Sequence, residues 1–316
     1  MKDKRKLIID TDCGSDDAVA IAMALNDDNY EVIMITTVAG NVPLKQATEN
    51  TLTTLEYTNT YFPSVYEGCE EMLIKKWEGS RETHGFDGMG DLGYHSTHLR
   101  MSEGNAVIKI IEALNDNEDK SIDIVTLGPL TNLAMACKLN KRALLKARKI
   151  TVMGSAGLGF GNVTPAAEFN IWQDAEAARI ILEAGIEDLT FVGWDACLDE
   201  AMLDEEEIEK IRNASLLGKF CIESNRVLMQ LNKQRFGCNC LDMADPAAMA
   251  VALCPECIDT CHEYYCQVNT SEGPSYGNVT IDYYGFTGKR ANAKICSRLK
   301  AKEFKKYLFR MLKVEY

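Results

Sequence analysis

Four carboxylates crowd one short stretch of this chain: Asp10, Asp12, Asp16 and Asp17, within Asp10-Thr11-Asp12-Cys13-Gly14-Ser15-Asp16-Asp17. Carboxylates this close repel one another unless something positive lies among them. A hard divalent cation with oxygen ligands is the simplest such charge. The bland alternative is an acidic, solvated turn with a good helix N-cap. The flanking residues show which elements position the acids. Leu7-Ile8-Ile9 is an apolar run that predicts a short buried strand, and apolar residues from Ala18 to Leu25 recur at helical spacing. The acids therefore fall at the carboxyl end of a strand and on the first turn of a helix, where open α/β sheets bind ligands.

The rest of the chain supplies such a sheet. Strands are expected at 6–9, 31–37, 122–127, 149–153 and 189–192, with helices near 16–26, 43–60, 102–116, 129–139 and 174–184 between them. This alternation predicts an α/β fold: an open, mostly parallel central sheet with helices on both faces, in one domain over 1–316. Polar clusters follow several strands: Gly40-Asn41, Gly128-Pro129-Leu130-Thr131-Asn132, Gly161-Asn162 with Glu168-Phe169-Asn170, and Asp245-Pro246 before a late helix. In a parallel sheet these carboxyl ends share one edge, so their side chains can converge. Singly, each has a plainer explanation: Pro129 suits a helix start, Asn41 a turn, and Asp245 an N-cap. The segment 66–99 carries six glycines and three of the four histidines, the composition of a functional loop. After residue 200 a helix is expected over 215–233, strands over 262–268 and 279–283, and a closing helix over 300–312.

Composition narrows the function. A net charge of −13 argues against binding the phosphate backbone of nucleic acids. No apolar run approaches the ~20 residues of a membrane span. The basic start, Met1 to Lys6, lacks the apolar stretch of a secretory signal, so a cytoplasmic protein is expected. Twelve cysteines include Cys254, Cys257 and Cys261, which suit either a structural zinc site or reduced, partly buried thiols. Neither a Gly-x-Gly-x-x-Gly nor a P-loop motif is present.

The order of these motifs resembles the inosine-uridine-preferring nucleoside hydrolases over almost the whole chain. The likeness rests on Asp10 to Ala18, Ala39-Gly40-Asn41, His84-Gly85-Phe86-Asp87-Gly88, Leu127 to Asn132, Gly161 to Asn170, and Asp245-Pro246. It implies hydrolysis of the N-glycosidic bond of ribonucleosides with calcium, releasing base and ribose for salvage by a dimer or tetramer. It also implies that Asp12, Asp17, Asp245 and the Leu127 carbonyl hold Ca2+, with Asp10 supporting them from behind. Asp12 would take the proton from water. Asp16, Asn41, Asn162, Glu168 and Asn170 would grip the ribose, Asn170 also acting in catalysis, and His84, on a mobile loop, would close over the base.

One position departs from the family. Many relatives place a His, which protonates or orients the leaving base, immediately before the metal-binding Asp; here it is Ala244. General acid help is typically worth ~10²–10⁴-fold. His84, Asp242, Trp194 and Cys240 are candidate replacements; alternatively the base leaves with little help, or the protein is a catalytically silent nucleoside or ribose binder. A phosphatase with an Asp-x-Asp nucleophile is a further enzyme alternative. Met229 and Phe236 of the late helix are candidates to face the base, Trp194 is a candidate to stack on it, and His95, His98, Arg226, Lys233 and Arg235 read as solvated surface groups.

Overall fold

A computed structural model describes residues 4–316; residues 1–3 of the basic N-terminus lie outside it. Among the described residues ten strands form: β1 (Arg5–Thr11), β2 (Tyr30–Thr37), β3 (Ser64–Glu67), β4 (Ile122–Thr126), β5 (Lys149–Met153), β6 (Leu189–Val192), β7 (Ile258–Tyr264), β8 (Cys266–Val268), β9 (Val279–Ile281) and β10 (Ala293–Leu299). Eight make one sheet in the order β3-β2-β1-β4-β5-β6-β10-β7. All neighbours are parallel except the edge pair β10–β7. The chain runs outward from β1 through β2 to β3, then returns to place β4 on the other side of β1. The crevice between the ends of β1 and β4 is thus a topological switch point, the usual ligand site of such sheets.

Helices cover both faces: α1 (Ser15–Asn26), α2 (Leu44–Thr58), α3 (Arg81–His84), α4 (Ala106–Asp116), α5 (Thr131–Leu144), α6 (Phe169–Gln173), α7 (Ala175–Leu182), α8 (Glu205–Ala214), α9 (Leu216–Ser224), α10 (Arg226–Phe236), α11 (Ala244–Leu253) and α12 (Ala301–Met311). Strand alternation divides the core. Leu7 and Ile9 of β1 pack with α1, α2, α9, α11 and α12, and Ile8 packs with α4, α5 and α7. Helices α1 and α11 are apolar nearly all round because both are buried. They pack together, which brings Asp16 and Asp17 of one beside Asp245 of the other.

Several expectations are corrected. The strand expected at 262–268 is two, β7 in the main sheet and β8 paired with β9, divided at Tyr265. The helix expected over 215–233 breaks at Asn225, whose buried amide donates to the Ser15 and Cys221 carbonyls. Strands β3 and β10 are not expected from the sequence: β3 spans only four residues, and the seven of β10 lack a clean alternating pattern. The helix expected at 129–139 runs on to Leu144 through a kink at Asn140. Cys254, Cys257 and Cys261 do not gather into a ligand set: the acids near the site form the one such group among the described residues. Cys261 faces Cys296 across the β7–β10 ladder instead.

The glycine-rich segment is firmly anchored at its far end. The Glu56 carboxylate accepts from the Ser96 hydroxyl and from the backbone N–H groups of Thr97, His98 and Leu99. Against the cost of burial, these bonds hold its pKa down to about 2. Bonds to an ionised acceptor are about twice as strong as neutral ones. Glu56→Gln is therefore expected to speed amide exchange at residues 97–99 by about tenfold, the equivalent of ~1.4 kcal/mol. Unchanged exchange by mass spectrometry would show the anchor to be elsewhere.

Candidate active site

A cavity of about 300 Å³ opens at the carboxyl edge of the sheet, over the switch point. Asp16, Asn41, His84, Leu127, Asn162, Glu168, Asn170 and Asp245 all line it. Carboxylate oxygens of Asp16, Asp17 and Asp245 lie within 4.8 Å of one another, all buried. Asp16 thus stands within the acid cluster, where the family resemblance gives it only a sugar-binding role.

Asp12 stands beside these acids and is fully buried. Its Oδ2 accepts from the Asn41 N–H at 2.6 Å, while its Oδ1 is buried without any partner. A Cβ at Gly40 or Gly128 would overlap this carboxylate, so glycine at both positions makes room for it. Asp17 accepts from the Thr11 hydroxyl and from Gly14 N at 2.8 Å. Burial drives the Asp12, Asp17 and Asp245 carboxyls upward in pKa, and the neighbouring negative charges push them further. The cluster therefore fits a cation: crowded acids, oxygen donors only, and an orphaned buried oxygen.

The remaining groups are set by local structure. Asp10 accepts from Thr36 Oγ1 at 2.5 Å and Asn132 Nδ2 at 2.8 Å, tying β1 to β2 and α5 beneath the site. Burial raises its pKa to about 7. Leu127 directly follows β4, and its carbonyl accepts from Asn170 Nδ2 at 2.6 Å, leaving one lone pair. Glu168 caps α6, accepting from Asn170 N at 2.8 Å, Ser155 N at 3.1 Å and Ile171 N at 3.2 Å. Burial holds it at about 7. Asn162 Oδ1 accepts from Phe169 N at 2.9 Å, fixing the loop above.

His84 is buried in this structure and in contact with α1. It ends α3, is 5% exposed, and lies 2.7 Å from the Ser15 hydroxyl through Nδ1. The Ser15 N–H also points at Nδ1, so Nδ1 accepts and Nε2 carries the proton. Burial lowers its pKa to about 4, so the ring is neutral near pH 7.

The candidates to replace the missing His separate clearly. The Cys240 thiol lies 3.1 Å from Cys238 Sγ, and Cys240 does not line the cavity. Asp242 and Trp194 do line it, beside Ala244. The face of α10 turned to the cavity carries Leu228 and Arg235, not Met229 and Phe236. Arg235, read from sequence as a solvated charge, is exposed at the cavity's edge. Helical spacing of four and three residues links Leu228, Asn232 and Arg235, but mixed polarity along α10 concealed which face was inward. Arg226 instead binds the Gly90 carbonyl.

A doubly covered parallel sheet with acids and amides converging at its switch point defines a hydrolase-type site for a small polar ligand. The chain belongs to the inosine-uridine preferring nucleoside hydrolase family, whose model matches residues 7–306. It is 31% identical over 293 residues to the pyrimidine-specific ribonucleoside hydrolase RihB of Escherichia coli (strain SE11), covering 93% of this chain and 92% of the relative. Among solved structures it resembles a plant nucleoside hydrolase, with a TM-score of 0.90, 29% identity, and 98% and 99% of the two chains covered. It also resembles the purine-preferring ribonucleoside hydrolase of Gardnerella vaginalis, with a TM-score of 0.89, 28% identity, and 98% of each chain covered. The protein is accordingly a hydrolase of N-glycosyl compounds acting on ribonucleosides, which removes the phosphatase alternative. Among the described residues no helix is long and apolar enough to cross a membrane.

Proposed function

We propose that this protein hydrolyses ribonucleosides in a calcium-dependent reaction that returns free base and ribose to salvage, as a cytoplasmic homo-oligomer. The partnerless, buried Oδ1 of Asp12 beside the Asp16–Asp17–Asp245 cluster carries the metal part of this reading. Asp12, Asp17, Asp245 and the Leu127 carbonyl are the groups to hold the ion, and oxygen-only ligands of mixed type suit calcium. When bound, calcium supplies the positive charge that offsets these acids and makes a neighbouring water more acidic.

The chain's own groups do the rest. Asp12 accepts the proton of the attacking water at its free oxygen. Asp16, Asn41, Asn162, Glu168 and Asn170 hold the sugar hydroxyls. Their negative and dipolar atoms favour the positive charge that grows on the ribosyl ring as the C–N bond breaks. The base leaves with the bond's electron pair, and the Nε2–H of His84 is the donor closest in type to the absent His. A neutral imidazole donates a hydrogen bond without needing to be charged.

The test is ribose release from a panel of ribonucleosides by the purified protein. Release with calcium, a fall of at least ~100-fold after chelation, and recovery on adding calcium back are expected. Asp17→Asn serves as a control. Ala244 favours one second reading, a silent binder: tight nucleoside binding with no base released from any nucleoside would establish that instead.

A further inference from the structure

Asp242 is a buried acid whose two structural partners leave part of its carboxylate unused. It is 4% exposed and lines the cavity beside Ala244, yet it lies one residue before the cap position of α11 and makes no capping bond. Its Oδ2 accepts from Trp194 Nε1 at 3.1 Å, and its Oδ1 from Asn232 Nδ2 at 2.6 Å. Both partners are neutral. Asn232 is itself fully buried and also donates to the Cys240 carbonyl at 3.2 Å, so the carboxylate is held rigidly. Each carboxylate oxygen has two acceptor positions, and the two bonds use one on each.

We propose that Asp242 is a specificity-determining residue that reads the leaving base, selecting one that offers two adjacent N–H donors. The idea rests on the nucleoside hydrolase reading of the cavity. One acceptor position stays free on each oxygen, so a base with two adjacent N–H donors can satisfy both, as a guanidinium does with a carboxylate. Among the common bases guanine offers that pair, its ring N1–H and its 2-amino group. Hypoxanthine offers only the first. Adenine and cytosine place an amino group beside a bare ring nitrogen, which a carboxylate repels. Uracil sets its N–H between two carbonyl oxygens, which it repels as well.

The nearby Arg235 works the other way, since a guanidinium favours carbonyl oxygens. It is exposed at the cavity edge, however, where water weakens it, while Asp242 is buried. A buried acceptor left without its donor is costly, so sites built to hydrogen-bond a substrate group discriminate strongly against an analogue lacking it.

Guanosine and inosine differ only in the 2-amino group, so their kcat/KM ratio isolates the effect. The wild-type protein is expected to favour guanosine by at least ~10-fold. Asp242→Asn, which turns one acceptor into a donor, should bring the ratio to within about threefold of unity, with inosine turnover falling much less than guanosine turnover. Trp194→Phe frees one oxygen of Asp242 and should shrink the guanosine advantage in part. Competitive inhibition of the wild type by free guanine against hypoxanthine reads the same preference without any variant, should Asp242→Asn fail to fold. A wild-type ratio near unity or below it, or a guanosine advantage that survives Asp242→Asn, overturns the assignment. Those outcomes require ribose release from inosine; no release from any nucleoside would sink the hydrolase reading itself.

Discussion

Asp12→Asn will cut kcat for ribose release by at least ~10³-fold while KM changes by less than tenfold. The substitution is nearly isosteric. An Asn at this position still offers an oxygen to the Asn41 N–H, so the bond that orients the side chain persists. What disappears is the anionic oxygen that has no other partner. That atom is assigned two tasks, holding the ion and taking the proton of water, so its loss exceeds the usual penalty for a general base alone. The fold should not suffer. Removing one buried charge from a crowd of acids relieves repulsion, and the metal-free variant should melt no lower than the metal-free parent. Steady-state kinetics together with calorimetry check both halves. Activity within tenfold of the parent would remove Asp12 from the chemistry.

The metal-free protein will lose stability as pH rises from about 4 to about 7, the reverse of an ordinary acid-sensitive fold. Burial raises Asp10 and Glu168 to about 7 and Asp16 to about 6. The unfolded chain releases these protons near its ordinary values of 3.8 for Asp and 4.5 for Glu. Between those limits the folded state holds more protons, so raising the pH favours unfolding. His84 acts in the opposite sense: its pKa falls to about 4, so its contribution is lost as pH drops below the ordinary 6.5. Three carboxyls outweigh one imidazole. With each pH unit worth ~1.4 kcal/mol per group, the melting temperature in chelator should fall by at least ~5 °C between pH 5 and pH 7.5. Saturating calcium should restore most of that loss at pH 7.5. A melting temperature that rises over this range in chelator would show that the acids are already balanced within the fold.

Much of this is legible in the sequence. Leu7 to Ile9 marked the strand, Gly14 the turn, and the apolar run from Ala18 the helix, so the position of Asp12, Asp16 and Asp17 followed from local rules. The same reasoning failed where periodicity was weak. Asn225 interrupts a good helical pattern because its amide serves the Ser15 carbonyl, far away in sequence. The glycines around His84 suggest an open loop, and only packing shows its ring buried in contact with Ser15 of α1. On α10, the inward face was off by one residue, since Leu228 and Met229 are equally apolar and only packing separates them.

The linear chain by itself determined five parallel strands of the sheet and the inventory of acids and amides at their carboxyl ends. Those follow from spacing, turn chemistry and the need to bury apolar runs. Only the tertiary structure decided which groups meet. Asp245 joins Asp16 and Asp17 because α1 and α11, distant in sequence, bury their apolar surfaces against each other. Asp242 faces the cavity, and Cys240 faces Cys238, because Asn232 and Trp194 grip one side chain and not the other. Such choices rest on three-dimensional packing and on satisfying buried polar atoms, and neither leaves a periodic mark along the sequence.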